Sequence, residues 1–244
     1  MTRSESARRS NYHAYAPPEE FIVPLLKTHI EEVLSKYLKP LESNKRVLDV
    51  GCGGQPFRKA LEELGYKYMG IDISQNSNGT VDIICEIDKA LPDEIIELGS
   101  FDLIFCTEVM EHVADWNMAF SNFSKLLNSG GKLFITCPHF YQLHEAPYDF
   151  WRPTPFALQY FTEKHNFRVL HQENAGDAWD VLGTLLASVY SLPVSQRFRD
   201  RLLNRFVKLI KEILFNILRD RKLQNSVQLK GLVYMSNIFL CQKN

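Results

Sequence analysis

The sequence has few of the features that mark secreted, membrane-spanning or strongly charged proteins. Its 244 residues include five cysteines, and none of them forms a CxxC pair, so we expect buried free thiols rather than disulfides. No uninterrupted apolar run approaches the roughly 18 residues that span a membrane. Residues 1–20 contain three arginines but no apolar core, so a secretory signal is not expected. We therefore expect a cytoplasmic protein.

Neither sign of charge is in large excess. The chain contains 28 basic and 29 acidic residues, and its formal net charge is −1. This balance makes nucleic acid an unlikely partner for the chain as a whole. With 45% hydrophobic and 23% charged residues, the composition is that of a globular enzyme.

The length fits one large α/β domain. Residues 1–18 are polar and end in two prolines, which predicts a flexible N-terminal arm ahead of a single domain over residues 19–244. Apolar residues then recur at helical spacing over residues 19–38, and Pro40 ends the predicted helix.

Short apolar runs alternate with helical stretches along the next hundred residues. We predict strands at 46–50, 66–72, 81–87, 101–107 and 132–138, with helices at 56–65, near 108–112 and at 116–127. This alternation predicts a mostly parallel sheet with helices on both faces. Ligands of such sheets bind at the carboxyl ends of the strands.

The end of the first strand is the most informative segment. Asp49 is followed by a glycine-rich turn, in which Gly51 and Gly53 would let the backbone approach a ligand closely. A dinucleotide fingerprint needs a third glycine at the position of Pro56, so a pyrophosphate is not expected here. The alternative is that these glycines form only a loop.

Two further strand ends carry acidic residues. Asp72 ends the second strand, where a carboxylate can accept hydrogen bonds from both ribose hydroxyls, or can simply cap a helix. Glu86 and Ile87 end the third strand and offer an acceptor and an apolar surface for an adenine, although Glu86 is also consistent with a solvated loop. Three such signals in order predict a nucleoside site.

Four segments now carry a family resemblance. VLDVGCGGQPF, YMGIDIS, FDLIFCTEVMEHV and LLNSGGKLFITCPH resemble successive motifs of class I S-adenosylmethionine-dependent methyltransferases of the type-11-like group, over about residues 46–170. The resemblance implies a Rossmann-like α/β fold with a seven-stranded sheet and an antiparallel last strand. It also implies S-adenosylmethionine as cofactor, contacted by Asp49, Gly51, Gly53, Asp72, Ile73, Glu86, Ile87, Thr107 and Glu108.

Two positions depart from the family pattern. Gln55 occupies the place where many members have a third glycine, and Glu86 replaces the more usual aspartate. The first departure affects the turn under the cofactor, and the second affects the predicted adenine contact.

The segment after the fifth strand is expected to meet the methyl acceptor. It contains His139 and His144, either of which could be the general base, and we favour His144 because of its place in this segment. Either ring could instead hold only a loop. Asp149 and Arg152 are predicted to form an ion pair that fixes the loop. The stretch resembles one found in members encoded with sugar- and lipid-modifying enzymes.

A second interpretation concerns Glu108, Glu111 and His112. Two carboxylates and an imidazole within one helical turn are suitable ligands for Mg²⁺ or Mn²⁺, and His139 or His144 could complete such a site. The same pattern resembles the metal sites of small-RNA 2′-O-methyltransferases and of ubiquinone-pathway O-methyltransferases. Because it is also widespread in the superfamily without metal, where it caps and packs the next helix, no metal is predicted.

A helical insertion is predicted over about 178–230, before a final strand at 232–242. Within it, residues 196–221 form a helix with basic residues on one side and apolar residues on the other. The apolar side either packs on the domain or contacts an anionic membrane surface, in which case the protein would be peripheral. A third interpretation is a lid that binds a phosphorylated acceptor.

These observations predict an S-adenosylmethionine-dependent methyltransferase. The favoured acceptor is a small molecule such as a sugar, glycolipid or related metabolite, methylated on oxygen with help from a histidine base. The alternatives are a metal-assisted RNA 2′-O-methyltransferase using Glu108, Glu111 and His112, and a non-catalytic partner protein that binds the cofactor.

Overall fold

A seven-stranded sheet forms the centre of the molecule. The computed structural model describes residues 9–39, 44–188, 198–226 and 233–244. The order of strands across the sheet is 3-2-1-4-5-7-6. The strands are β1 (Arg46–Val50), β2 (Lys67–Asp72), β3 (Ile83–Ile84), β4 (Phe101–Thr107), β5 (Leu127–Pro138), β6 (Phe167–Ala175) and β7 (Ser236–Lys243).

Strand direction confirms the predicted fold class. Strands β1 to β5 run parallel to their neighbours, whereas β7 lies antiparallel between β5 and β6. Val50 pairs with Ile71, so β1 and β2 end side by side. Because the parallel strands share one direction, their carboxyl ends meet at a single edge of the sheet, where a ligand can reach them.

Helices cover both faces of the sheet, as predicted. One buried cluster contains Leu48 with Phe120 and Phe123, and the other contains Val47 with Ile30 and Leu61. Neighbouring residues of β1 therefore point to opposite faces. The helices are α1 (Val23–Tyr37), α2 (Arg58–Glu63), α3 (Asp93–Glu97), α4 (Trp116–Leu126), α5 (Pro155–Lys164), α6 (Ala178–Ser188), α7 (Phe198–Arg219) and α8 (Arg221–Ser226).

Local sequence explains where two of these helices begin. The side chain of Asp115 accepts a hydrogen bond from the backbone N–H of Met118 and caps α4. Thr154 caps α5 in the same way, and Pro155 follows it at the first helical position. Both helices therefore start where the chain leaves the carboxyl edge of the sheet.

The helix predicted at 19–38 spans Val23–Tyr37, and the final strand predicted at 232–242 spans Ser236–Lys243. Three further predicted elements also differ from the structure. The third strand is shorter than 81–87, because the carbonyl of Glu86 accepts a hydrogen bond from Lys89 N and starts a turn. The fifth strand begins at Leu127 rather than at 132, because the glycine pair at 130–131 lies in a strand irregularity instead of a separate turn. The predicted helix near 108–112 is a single 3-10 turn over Met110–His112.

The N-terminal segment packs on the domain from residue 9 onwards. The Tyr12 ring lies 4.9 Å from that of Phe57, and Arg9 Nη2 lies 2.6 Å from Glu19 Oε1. Residues 1–8 of the predicted arm, and residues 189–197 and 227–232 of the predicted insertion, lie outside the described residues. The division of the chain into an arm and one domain stays a prediction.

A helix that crosses a membrane must be both long and apolar. Among the described residues, no helix combines the length and the apolar character that crossing a membrane requires.

Candidate cofactor and acceptor site

Two adjoining cavities open at the carboxyl edge of the sheet. The larger cavity has a volume of about 540 Å³ and the smaller cavity one of about 310 Å³. The nine predicted cofactor residues all line one or both of them. The residues common to both cavities are Gly51, Gly53, Glu108, His112 and Glu145.

The larger cavity contains the strand ends that the sequence analysis singled out. Asp72, Ile73, Glu86 and Ile87 all line it. Asp72 Oδ2 accepts a hydrogen bond of 2.9 Å from Gly53 N. This bond ties the end of β2 to the glycine turn, so the carboxylate has a fixed position at the cavity wall.

The glycine turn uses conformations that few other residues adopt. Gly51 has a φ of +69°, and a Cβ built there would lie 2.4 Å from Val109 Cγ2. Gly53 has a φ of +50°. Gln55, at the position of the missing third glycine, has a φ of +60° and donates from Nε2 to Thr80 O over 2.7 Å. The departure at Gln55 therefore keeps the left-handed turn.

The smaller cavity has a buried acidic floor. Burial raises the pKa of Asp49 to about 7, and its Oδ2 accepts a 2.6 Å hydrogen bond from the Tyr68 hydroxyl. Burial likewise raises the pKa of Glu108 to about 7. Thr107 lines the same cavity. This floor is suited to a ligand that carries hydrogen-bond donors or positive charge.

Glu108 has a strained backbone. Its φ is +52°, a region that a non-glycine residue rarely occupies. Its N–H donates to Thr136 O over 3.0 Å, and its Oε1 accepts from Ser236 Oγ over 3.1 Å. Such strain is concentrated at functional sites, where neighbouring groups hold the residue in place.

His144 lies at the wall of the smaller cavity. Its Nδ1 is 3.3 Å from Asp149 Oδ2, while its Nε2 is 4.0 Å from Glu111 Oε1. Arg152 Nη1 holds the same Asp149 carboxylate at 2.6 Å, which confirms the predicted ion pair. Burial, followed by the charge of the nearby His112, lowers the pKa of His144, so the neutral ring predominates near pH 7.

His139 has a different environment. Its Nδ1 lies 3.0 Å from Pro153 O, and its ring stacks on Tyr234 with 4.3 Å between the centroids. It is not among the residues that line either cavity. This placement favours His144 over His139 as the predicted base.

Glu111, His112 and His144 form a possible metal-ligand cluster in the described part of the chain. Each offers one ligand atom, and these atoms lie within 4.8 Å of one another. His112 Nδ1 lies 2.7 Å from Tyr148 O, and this contact orients the ring. Burial and the neighbouring Glu108 raise the pKa of Glu111. The cluster contains Glu111 and His112, two of the predicted ligands, together with His144. The third predicted ligand, Glu108, is not part of the cluster.

The smaller cavity is also lined by a segment that the sequence analysis did not assign to the site. Tyr12, Ile22, Val23 and Leu26 line the cavity, together with the charged residues Arg9 and Glu19 of the same segment. The sequence signal was the amphipathic pattern of the helix that begins here, which does not reveal that its start faces a cavity. The cavity lining therefore combines apolar and charged residues.

A family model now identifies the chain. A model described as "Methyltransferase domain" matches residues 25–174, which is more than half of the chain. The chain belongs to this methyltransferase family. Its fold and cofactor are those of class I S-adenosylmethionine-dependent methyltransferases.

Curated relatives share part of the chain. A ubiquinone biosynthesis O-methyltransferase of Idiomarina loihiensis is 33% identical over 103 residues, which cover 38% of this chain and 42% of that protein. The protein of the same name from Bordetella avium is 28% identical over 165 residues, covering 56% of this chain and 66% of that one. The first match thus spans less than half of the relative's length.

Solved structures share the fold over most of the chain. An S-adenosylmethionine-dependent methyltransferase from Archaeoglobus fulgidus superposes with a TM-score of 0.54 at 15% identity, covering 89% of this chain and 94% of that one. The Haemonchus contortus phosphoethanolamine N-methyltransferase 2 was solved with phosphomonomethylethanolamine and S-adenosylhomocysteine. It superposes with a TM-score of 0.53 at 20% identity, covering 88% of this chain and 52% of that one. At these identities the likeness shows the fold.

The site of this methyltransferase fits S-adenosylmethionine. The two cavities meet at Gly51, Gly53 and Glu108, so one extended ligand can occupy both. The larger cavity offers the Asp72 carboxylate for hydroxyl groups and the buried Ile87 for an apolar ring. The contacts of the individual residues with the cofactor stay predictions.

Proposed function

We propose that this methyltransferase transfers a methyl group to an oxygen of a small molecule bound in the smaller cavity, with His144 as the general base. The observation that supports this most strongly is the contact of His144, which lines the cavity, with Asp149, which in turn contacts Arg152. Asp149 lies between Arg152 and His144, 2.6 Å from one and 3.3 Å from the other. This arrangement is typical of a histidine held by a carboxylate for proton transfer.

The tautomer of His144 follows from its neighbours. Asp149 is ionised near pH 7: burial opposes ionisation, but the hydrogen bond from Arg152 holds the pKa of this carboxyl below its ordinary value. His144 Nδ1 lies 3.3 Å from two acceptors, Asp149 Oδ2 and Gln142 O, and 3.5 Å from the donor Arg152 Nη2. The nearer acceptors favour a hydrogen on Nδ1, which leaves the lone pair on Nε2. The Nε2 atom lies on the Glu111 side of the ring, where the cavity is acidic.

In the proposed reaction, the protein's side chains need to accept one proton and position the acceptor. S-adenosylmethionine, when bound, supplies a methyl group activated by its sulfonium. The acceptor hydroxyl must lose its proton as the carbon–oxygen bond forms, and in this proposal Nε2 of His144 accepts that proton. The rest of the cavity must hold the acceptor oxygen in line and exclude water.

The walls of the smaller cavity indicate the class of acceptor. Ile22, Val23 and Leu26 offer apolar surface in the cavity that His144 also lines. A molecule with an apolar body and a hydroxyl group near His144 would match these residues. A glycolipid, a substituted sugar or a related metabolite fits this description, and the relatives' name adds hydroxylated quinone precursors to the set to be tested.

A panel assay tests the proposal. The full chain would be incubated with labelled S-adenosylmethionine and with nucleotide sugars, lipid-linked sugars and hydroxylated aromatic compounds. We expect label to reach an oxygen of at least one amphipathic acceptor. Transfer only to nitrogen or carbon of the acceptors would contradict O-methylation.

Replacing His144 tests its role as the base. With an accepted substrate, His144→Ala should lower kcat by about 10²- to 10⁴-fold, the range typical of general acid–base catalysis, and should change cofactor affinity little. His171→Ala is the matched control, because His171 lies on β6 beside Glu173 and lines neither cavity. Equal kcat values for the two variants would exclude His144 as the base.

A divalent metal is a second candidate for activating the acceptor oxygen. Glu111, His112 and His144 provide one oxygen and two nitrogen ligands, a set suited to Zn²⁺ or another transition metal. Tyr148 O and Asp149 hold the far nitrogens of the two rings, as outer partners of metal-bound histidines do.

Metal analysis separates the two candidates. If His144 acts as a base, dialysis against a chelator should leave activity unchanged. Stoichiometric metal in the purified chain, lost in Glu111→Gln together with activity, would favour the metal instead. Metal content is measured without substrate, so this experiment does not depend on knowing the acceptor.

A further inference from the structure

Helix α7 exposes a long apolar face. Its 22 residues extend over about 33 Å at the usual helical rise. Large apolar side chains along it are 41–60% exposed. They are Leu202, Leu203, Phe206, Leu209, Ile210 and Ile213. One interpretation of the sequence was that the apolar side of this helix packs on the domain. Because these side chains are exposed, the structure contradicts that interpretation.

The C-terminal end of α7 is fixed to the domain. Phe215 packs edge-on against Phe21 with 5.5 Å between ring centroids, and Arg219 Nη2 lies 2.6 Å from Glu20 Oε1. Trp179 Nε1 donates to Leu218 O over 2.8 Å. These contacts lie beside Ile22, which lines the smaller cavity. The C-terminal end of α7 therefore packs on the residues that directly precede Ile22.

The charge of this region is opposite to that of the rest of the chain. Residues 198–222 contain eight basic and three acidic residues, a net charge of +5, whereas the whole chain has −1. Arg201, Arg205 and Lys208 lie on the side of the helix away from the apolar face, and the side chain of Lys208 is 78% exposed. Helices with this division of apolar and basic faces lie in the interface of anionic membranes.

We propose that α7 binds the surface of an anionic membrane, with its apolar face among the acyl chains and its basic side chains near the headgroups. Long lysine and arginine side chains can reach the headgroups while their stems follow the apolar surface. A second copy of the chain is a less suitable partner. Packing two α7 helices together would bring two segments of +5 within a Debye length of each other.

This proposal does not depend on the identity of the methyl acceptor. It predicts that the full chain binds vesicles containing phosphatidylserine and binds those of phosphatidylcholine alone much more weakly. Replacing both Leu209 and Ile213 by Gln should weaken binding at least about tenfold, because apolar burial drives insertion. Lys208→Glu should weaken it about tenfold, because each basic residue near an anionic surface contributes to attraction.

Matched controls use exposed residues elsewhere. Ile96→Gln, on α3, removes an apolar side chain that is 56% exposed, and Lys59→Glu, on α2, reverses a charge that is 87% exposed. Both controls should bind vesicles like the native chain. Circular dichroism shows whether each variant keeps its fold.

Two measurements test the proposal. Co-sedimentation with vesicles reports lipid binding, and sedimentation velocity without lipid reports dimer formation. Binding to anionic vesicles that falls in the α7 variants and not in the controls is the expected result. No binding, equal binding to both vesicle types, or equal binding by all variants would overturn the proposal. So would a dimer in lipid-free solution that dissociates when Leu209 and Ile213 are replaced.

Discussion

Backbone conformation at single residues determines the shape of the cofactor turn. Gly51 and Glu108 both have positive φ angles, and both line the two cavities. A glycine adopts this conformation without steric cost, whereas Glu108 is held there by its bonds to Thr136 and Ser236.

Comparing Gly51 with Gly79 separates the effect of a steric clash on stability from the effect of backbone strain. Gly51 and Gly79 have similar φ angles of +69° and +66°, but only at Gly51 would a Cβ meet a side chain, that of Val109 at 2.4 Å. Gly79→Ala should cost about 1–2 kcal/mol through strain alone. Gly51→Ala should cost more in urea unfolding and should also weaken S-adenosylhomocysteine binding. Equal losses of stability in the two variants would contradict this account.

The residues that line the cavities at the strand ends could be predicted because their positions follow from local order. Asp49 and Asp72 lie at the ends of β1 and β2, Ile87 follows β3, and parallel strands end at one edge. The left-handed φ of Glu108 could not be predicted, since bonds to distant β5 and β7 impose it. The position of Tyr12 in the lining of the smaller cavity was not predicted either, because a polar N-terminal segment gives no sign of where it packs.

At the scale of elements, continuous apolar runs were the most reliable guide. The predicted bounds of β1 and β4 agree with the structure because both strands are buried on both faces and end at polar or glycine residues. The position of β6 was not found. Only its two end residues, Phe167 and Ala175, are buried, so the strand has no apolar run, and its pairing with β7 joins segments about seventy residues apart.

The Asp102 side chain links three elements. It accepts hydrogen bonds from Arg46 N at 2.9 Å, from Lys45 at 3.2 Å and from Asn128 at 3.1 Å. Burial alone would raise the pKa of Asp102, but these donors hold it below the ordinary value. A carboxyl whose pKa is lowered on folding stabilises the fold above its unfolded pKa, and this contribution is lost as the pH falls through the folded pKa.

Asp102→Asn should therefore destabilise the chain by about 1–2 kcal/mol at pH 7. The difference from the native chain should shrink as the pH falls below about 4. Urea unfolding at the two pH values measures this. Glu97→Gln, at an exposed position of α3, serves as the control and should unfold like the native chain at both values. A difference that is unchanged at low pH would contradict the charge-based explanation.

The whole molecule combines a common fold with a local addition. The seven-stranded sheet and its antiparallel last strand match what the resemblance implied, because these features follow from the succession of strands and helices. The exposed face of α7 could not be decided from the sequence, since an amphipathic pattern is the same whether the apolar side packs inward or remains open. Within this arrangement, cofactor binding is the step on which the proposed activity depends.

Calorimetric titration with S-adenosylhomocysteine tests the central claim most directly, using the native chain, Asp72→Ala and the exposed control Asp93→Asn. We predict micromolar binding by the native chain and the control. We predict binding at least about tenfold weaker for Asp72→Ala, because a charged acceptor of hydrogen bonds is lost. No binding by the folded native chain would contradict the cofactor assignment, and unchanged binding by Asp72→Ala would contradict the site.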